Sequence, residues 1–349
     1  MGETPAENGR SSRFWLYTPF VLLLLVAVAW SIAWFVIRSR TSDSIDTWFG
    51  LEAKAGRQWT CQDRSVGGFP FRMEVTCSAL NLTHGAVKAS FGRVESVAQV
   101  YQPRFVITEV EGPFRWTDGT VVVEARWDLL QTSVHATNTG LQRLSTVAQN
   151  PAVTVTGVTP DPIAVTGSEM EFHVRPDPTR SQDKAYDLAF SVDKARLPLL
   201  GNLIGGAEPT DLRADLTVTQ AEGFRGRPMA EELERWRSDG GRLAVEMLSL
   251  SKGARRVEAK GELGLDAQHR PSGLLNVSAA GLDGILGSVM GNRTGGALLG
   301  ALLGGARASG NATKPGQPAL TPLPPLRLDN GVLALGPFVI PSVKLPAIY

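Results

Sequence analysis

The run from Trp15 to Ile37 constrains this chain more than any other stretch, since it holds no charged side chain. Roughly 20 apolar residues is what a helix needs to cross the hydrocarbon core of a bilayer, and no later segment approaches that length. The competing reading is a cleaved secretory signal, whose apolar core is about 7–15 residues long and ends in a small-residue box. Ala27-Val28-Ala29 fits such a box, yet the run continues past it through Trp30, Ile32, Trp34, Phe35 and Ile37, so an uncleaved anchor is expected. Pro19 falls in the opening turn and a half, where a missing amide donor matters least. Trp15, Tyr17 and Trp34 suit the two membrane–water interfaces.

Flanking charge does not orient the span, because Arg10 and Arg13 precede it while Arg38 and Arg40 follow. The only two cysteines, Cys61 and Cys77, lie close together just after the anchor, which suits one disulfide in an oxidising compartment. A pair of buried free thiols is the alternative. The expected layout is a cytoplasmic tail over residues 1–13, a transmembrane anchor over 14–37, a juxtamembrane helix over 38–58 and a β-rich body over 59–349 outside the membrane.

Charge in the chain is nearly balanced, with 35 Lys and Arg against 34 Asp and Glu, and no basic block is longer than a pair such as Arg255-Arg256. No nucleic-acid partner is therefore expected. The 37 glycines and 22 prolines point to many turns joining short elements.

Periodicity supplies the architecture. Phe71, Met73, Val75 and Cys77 alternate with Arg72, Glu74, Thr76 and Ser78, the period of a strand with one dry and one wet face, so Cys77 points to the dry side. The pattern returns at Val121–Trp127, at Met170, Phe172 and Val174, and most clearly at Leu212, Ala214, Leu216 and Val218. Further strands are predicted over Lys88–Val100, Arg104–Val110, Ala152–Thr156, Tyr186–Val192, Gly241–Leu250, Arg255–Asp266, Gly273–Ala280, Leu326–Leu335 and Phe338–Leu345. One-sided alternation belongs to antiparallel sheets. The expected fold class is mainly β (α+β): a large curved antiparallel sheet with a few covering helices, plus the N-terminal transmembrane helix.

Those helices are predicted over Asp43–Gly56, over Leu141–Gln149 and over Pro228–Ser238, where Pro228 lies near the first turn and Gly240 beyond the end. A glycine-rich apolar segment, Leu282–Ala306, either packs on the dry face or touches the membrane interface, and packing is expected because the sheet needs a cover. Ser309–Pro325 reads as a loop.

Three blocks carry a family resemblance: Trp59-Thr60-Cys61 with Gly67-Gly68-Phe69-Pro70-Phe71-Arg72 and Cys77; Gly240-Gly241-Arg242-Leu243 through Gly261–Asp266 and Pro271–Leu274; and the ending Asp329–Val332, Leu335–Pro337 and Leu345-Pro346. They resemble a bacterial envelope family catalogued as domain of unknown function 2125. That resemblance implies an inner-membrane anchor and a periplasmic body, and brings no catalytic residue. The repeated strands are also similar, at the level of fold, to AsmA-like envelope proteins.

Candidate chemistry is thin. Ser249-x-x-Lys252, Ser309-Gly310-Asn311 and Lys314-Pro315-Gly316 echo the three motifs of serine penicillin-binding enzymes, but Ser249 ends a strand-like segment instead of opening a helix. His84, His135, His173 and His269 stand apart, without partners at metal-ligand spacing. Glu169 and Glu171 share the polar face with His173, which a wet strand explains. Gly67, Gly68, Phe69, Pro70 and Phe71 form a turn motif in which a trans proline is expected. No catalytic residue, metal or cofactor is assigned. The expected function is a non-enzymatic, inner-membrane-anchored periplasmic module handling a lipid or other apolar ligand along the dry face in envelope maintenance. The alternative is a structural subunit that contacts an envelope protein partner in a membrane complex, and a hydrolase ranks third.

Overall fold

The computed structural model describes residues 14–198, 208–223, 228–281 and 319–349. The predicted segment Leu282–Ala306 and most of the loop after it lie outside these residues. The chain opens with one helix, α1 (Phe14–Lys54), about 60 Å long at 1.5 Å per residue. The segments expected as anchor and juxtamembrane helix run on without a break as one helix. Nothing between them breaks the ladder: Ser39, Arg40 and Thr41 replace glycine or proline there. The Thr41, Ser44 and Thr47 hydroxyls donate to carbonyls four residues back.

Strands follow as β1 (Gln58–Gln62), β2 (Ser65–Gly67), β3 (Arg72–Cys77), β4 (Ala79–His84), β5 (Val87–Phe91), β6 (Val94–Gln99), β7 (Gln102–Val110), β8 (Phe114–Thr117), β9 (Val122–Arg126), β10 (Leu129–Thr137), β11 (Gly140–Gln149), β12 (Ala152–Thr156), β13 (Ile163–Thr166), β14 (Glu169–Pro176), β15 (Tyr186–Ala195) and β16 (Thr210–Val218). After helix α2 (Met229–Ser238) come β17 (Leu243–Lys252), β18 (Arg255–Leu265), β19 (Pro271–Ala280), β20 (Thr321–Pro322), β21 (Leu326–Asp329), β22 (Val332–Leu335) and β23 (Phe338–Lys344). Among the described residues they form two antiparallel sheets. The smaller runs β1-β4-β5-β8-β9-β12-β13; the larger has 16 strands, from β2 and β3 through β6, β7, β10, β11 and β14 to β19 and then to β23.

The connectivity has a simple cause. From β3 to β14 the chain meanders in long strands, and each of these is interrupted near its middle: at Ser78, Gly92-Arg93, Gly112-Pro113, Trp127-Asp128, Asn150-Pro151 and Gly167-Ser168, whereas β15 to β19 run unbroken within the large sheet. Gly and Pro at most of these points stop a regular ladder. One half of each interrupted strand joins the small sheet and the other half the large one, with a crease between them. Backbone bonds stitch the crease, among them Gly92 N–H to Glu111 C=O (3.2 Å), Asn150 N–H to Ser168 C=O (2.8 Å) and Gly167 N–H to Pro151 C=O (2.9 Å). A Cβ on Gly92 would stand 2.7 Å from the Gly112 carbonyl oxygen, so the crease closes only around glycine.

The predicted single strand Lys88–Val100 is therefore β5 plus β6, folded at Gly92, and Leu326–Leu335 is the β21–β22 hairpin turning at Asn330-Gly331. The helix predicted at Leu141–Gln149 is strand β11. Leu141, Leu144 and Ala148 fit helical spacing, but Leu144, Thr146 and Ala148 also fit period two, and pairing to β10 and β14 decides for the strand. The helix predicted at Pro228–Ser238 forms as α2, with Pro228 at its N-cap.

Cys61 and Cys77 are joined as the sequence predicts, with Cα atoms 5.2 Å apart. Cys61 belongs to the small sheet and Cys77 to the large one, so the bond crosses the crease and fixes both apolar faces on the same side. A Cys61→Ser/Cys77→Ser variant is expected to lose about 3 kcal/mol on the chain-entropy model, read as a lower urea midpoint.

Helix α2 is held at one end of the large sheet. The buried Trp236 indole donates to the Thr219 carbonyl at 2.7 Å. The Tyr349 hydroxyl donates to Glu234 at 2.8 Å while its ring stacks on His269 at 4.4 Å. Arg237 first, then the Tyr349 hydroxyl, hold the Glu234 carboxyl down at about 2 against an ordinary 4.5. A depressed carboxylate contributes stability that is complete above its unfolded value and lost as pH falls through the folded one. Docking of the C-terminal residues is expected to weaken between about pH 4.5 and 2, and Glu234→Gln is expected to remove that pH step. Tyr349 fluorescence and thermal melts across the range check it.

Candidate apolar binding face

Every strand of the large sheet turns apolar side chains to the same side, and register makes them continuous. Val174, Leu188 and Leu216 are cross-strand neighbours, as are Phe172, Phe190 and Ala214, and Val257 and Ala279 carry the face onward. Most of the buried apolar positions of the large sheet lie on this face, among them Met73, Cys77, Ala148, Ala214, Val245, Ala259, Leu275, Ala279 and Leu335, while Ala280 is buried on the other. Several are alanine, so little volume fills the interior of so wide a sheet. Over β14 and β15 the larger side chains Met170, Phe172, Val174, Leu188, Phe190 and Val192 are only half-buried. Among the described residues neither helix covers them.

A groove of about 490 Å³ opens on this face, lined by Leu141, Val174, Leu188 and Val218, with Tyr186 and Glu222 at one end. Burial, and secondarily the Glu222 carboxylate, push the Tyr186 phenol above its ordinary value, so it is a neutral hydroxyl at any physiological pH. An apolar trough with a few polar groups at one end is the general form of a site for an amphipathic ligand. A second polar element crosses the face as a row of hydroxyls at successive register positions: Ser96 opposite Thr108, Thr108 opposite Thr132, and Thr132 opposite Thr146. Ser96 and Thr108 share a hydrogen bond of 2.9 Å, and Thr132 and Thr146 one of 3.0 Å. Each fills an apolar slot of the alternation, which is the sequence signal that could have found the row.

The opposite face is wet. A cleft of about 390 Å³ there is lined by Arg143, His173, Arg175, Asp187, Asp215 and Glu246. Its charges answer one another: Arg175 donates to Asp187 at 3.2 Å, Thr217 to the same carboxylate at 3.1 Å, and His173 lies 3.4 Å from Glu171. Glu169, two residues along β14, shares that face without joining the cleft. Ser249 and Lys252 occupy strand β17, where residues three apart point to opposite faces. The Lys252 ammonium is buried and donates to the Glu208 carbonyl at 2.8 Å, so the pair does not converge. Among the described residues no group of three metal-ligating side chains forms.

The turn motif has an assignment the sequence did not suggest: it grips α1. The Trp30 indole donates to the Pro70 carbonyl at 2.9 Å and the Trp34 indole to the Arg72 carbonyl at 3.0 Å. Phe69 packs edge-on against Trp34 at 5.3 Å and stacks on Phe35. Gly68 adopts φ +97°, and a Cβ there would meet the Arg72 carbonyl oxygen at 2.7 Å, so glycine permits the turn. The Phe69–Pro70 peptide is cis, where trans was the expectation.

A family model described as an uncharacterized protein conserved in bacteria (DUF2125) matches residues 34–344. No curated protein and no solved structure matches the chain.

Proposed function

The chain belongs to the DUF2125 family of uncharacterized bacterial proteins, and from that premise we propose that it is a membrane-anchored, non-enzymatic sheet that carries a lipid or other apolar ligand along its apolar face. One observation carries this reading: the apolar face is continuous in register across the large sheet, yet its largest side chains over β14 and β15 stay half-buried around a groove of about 490 Å³. Half-covered apolar surface of that extent favours a ligand. Placement in the bacterial inner membrane, with the body in the periplasm, is part of the proposal. The unbroken course of α1 through Ala29 and Trp30 supports an anchor over a cleaved signal, and the disulfide supports an oxidising compartment.

Native mass spectrometry of the detergent-purified protein tests the reading. Co-purifying lipid at defined stoichiometry is the expected result, and a lipid-free body with a stably bound protein partner would overturn it. The latter is the outcome for a structural subunit, a reading favoured by the shallow cleft along α1 at Ile37, Thr41, Ser44, Ile45 and Trp48.

A further inference from the structure

The contacts between α1 and the chain that follows it run in reverse order as far as Val66, and the turn beyond it closes on Trp34 and Trp30. Glu52 meets Arg57 and Trp59, Asp46 meets Arg64, Arg38 donates to the Val66 carbonyl, Trp34 to that of Arg72 and Trp30 to that of Pro70. Residues 57–70 thus descend alongside the helix for about 33 Å, back into the level of the apolar run, and Trp30 lies about 10 Å before that run ends at Ile37. The turns that end β2, β6 and β10 all lie at this same end of the large sheet, while the turns of the small sheet lie at the other.

The two turns nearest α1 carry exposed aromatic side chains. Phe69 is 54% exposed, Phe71 59% and Tyr101 63%. They form one patch, because the Val100 amide donates to the Phe71 carbonyl at 2.9 Å. Arg72 and Arg104 flank it. Part of its backbone is paired: Pro70 has no N–H, the Gly68, Pro70, Phe71 and Arg72 carbonyls all accept hydrogen bonds, and the Arg72 amide donates to Gly68. A turn with most of its carbonyls taken, aromatic rings outward and arginines beside them suits the boundary between headgroups and acyl chains, where the remaining amides still meet polar groups.

We propose that the turns at Phe69-Pro70-Phe71 and Val100-Tyr101 insert into the headgroup–acyl boundary of the bilayer that holds α1, so that the large sheet stands with this end in the membrane surface. The proposal rests on the anchored reading of α1. It places the near edge of the apolar face in direct contact with membrane lipid.

The test uses the full chain in vesicles of phosphatidylethanolamine and phosphatidylglycerol. An environment-sensitive nitrobenzoxadiazole label is placed singly in Phe71→Cys, Tyr101→Cys and, at the far end, Thr120→Cys. Blue-shifted emission and loss of most intensity to nitroxide-bearing phospholipids are expected at 71 and 101, with water-like, unquenched emission at 120. The unmodified protein gives a second readout: phospholipids carrying a diazirine near the headgroup should form adducts on peptides spanning 68–72 and 100–104, and none on 118–121. Protein that floats with the vesicles but shows water-like labels and no adducts at 71 and 101 overturns the insertion while leaving the anchor. Failure to float overturns both.

Discussion

Trp34→Ala is expected to destabilise the protein by about 3–5 kcal/mol, the usual range for deleting a buried tryptophan. Trp34 is only 4% exposed although it belongs to a helix whose neighbouring residues are largely bare, and it is the buried contact between α1 and the sheet among the described residues. Its ring packs edge-on against both Phe35 and Phe69, and its indole N–H satisfies the Arg72 carbonyl. Trp34→Phe keeps much of the packing and orphans only that acceptor, so a smaller loss of about 1–3 kcal/mol is expected. Urea titrations in detergent measure both, and limited proteolysis should show the 67–72 turn opened in the alanine variant. An unchanged midpoint in Trp34→Ala would mean that the sheet does not depend on the helix.

Leu188→Arg is expected to abolish lipid co-purification while the β-sheet circular dichroism signal persists. Leu188 is half-buried between Val174 and Leu216 and lines the groove, where an unpaired guanidinium would face apolar surface at a cost of several kcal/mol unless it reached water. Ala189, one residue on, points into the wet cleft with Asp187 and Asp215, so Ala189→Arg is expected to retain lipid. The two variants add the same charge to opposite faces of one strand. Equal lipid content in both would remove the apolar face from the function.

Much of this was legible in the chain because strand alternation is a local property. Met170, Phe172 and Val174 announce their dry side without help from any partner, and the cysteines announce their bond by isolation and proximity. The interruptions were legible in composition but not in consequence: Gly92, Gly112-Pro113, Asn150-Pro151 and Gly167 are visible as turn residues, yet only alignment of all of them in space makes them one crease. Strand β10 was missed because Thr132 fills an apolar slot beside the Leu129-Leu130 pair. Strand β11 was misread because a short stretch of leucines satisfies two periods at once. The turn motif stands out for its glycines and proline, but its partner lies some 40 residues earlier, in a helix whose apolar run is long enough to span a membrane and suggests no partner in the sheet.

The sequence by itself determined that an apolar helix of membrane-spanning length leads a mostly antiparallel β body, and that each strand has a dry side, because length and periodicity act within a few residues. Only the tertiary structure decided that one meander divides into two sheets across a disulfide-bridged crease, that the dry sides join into one half-covered face, and that Phe69-Pro70-Phe71 is fastened to Trp30 and Trp34. Those outcomes depend on register and on which surfaces meet, quantities that no single stretch of the chain contains.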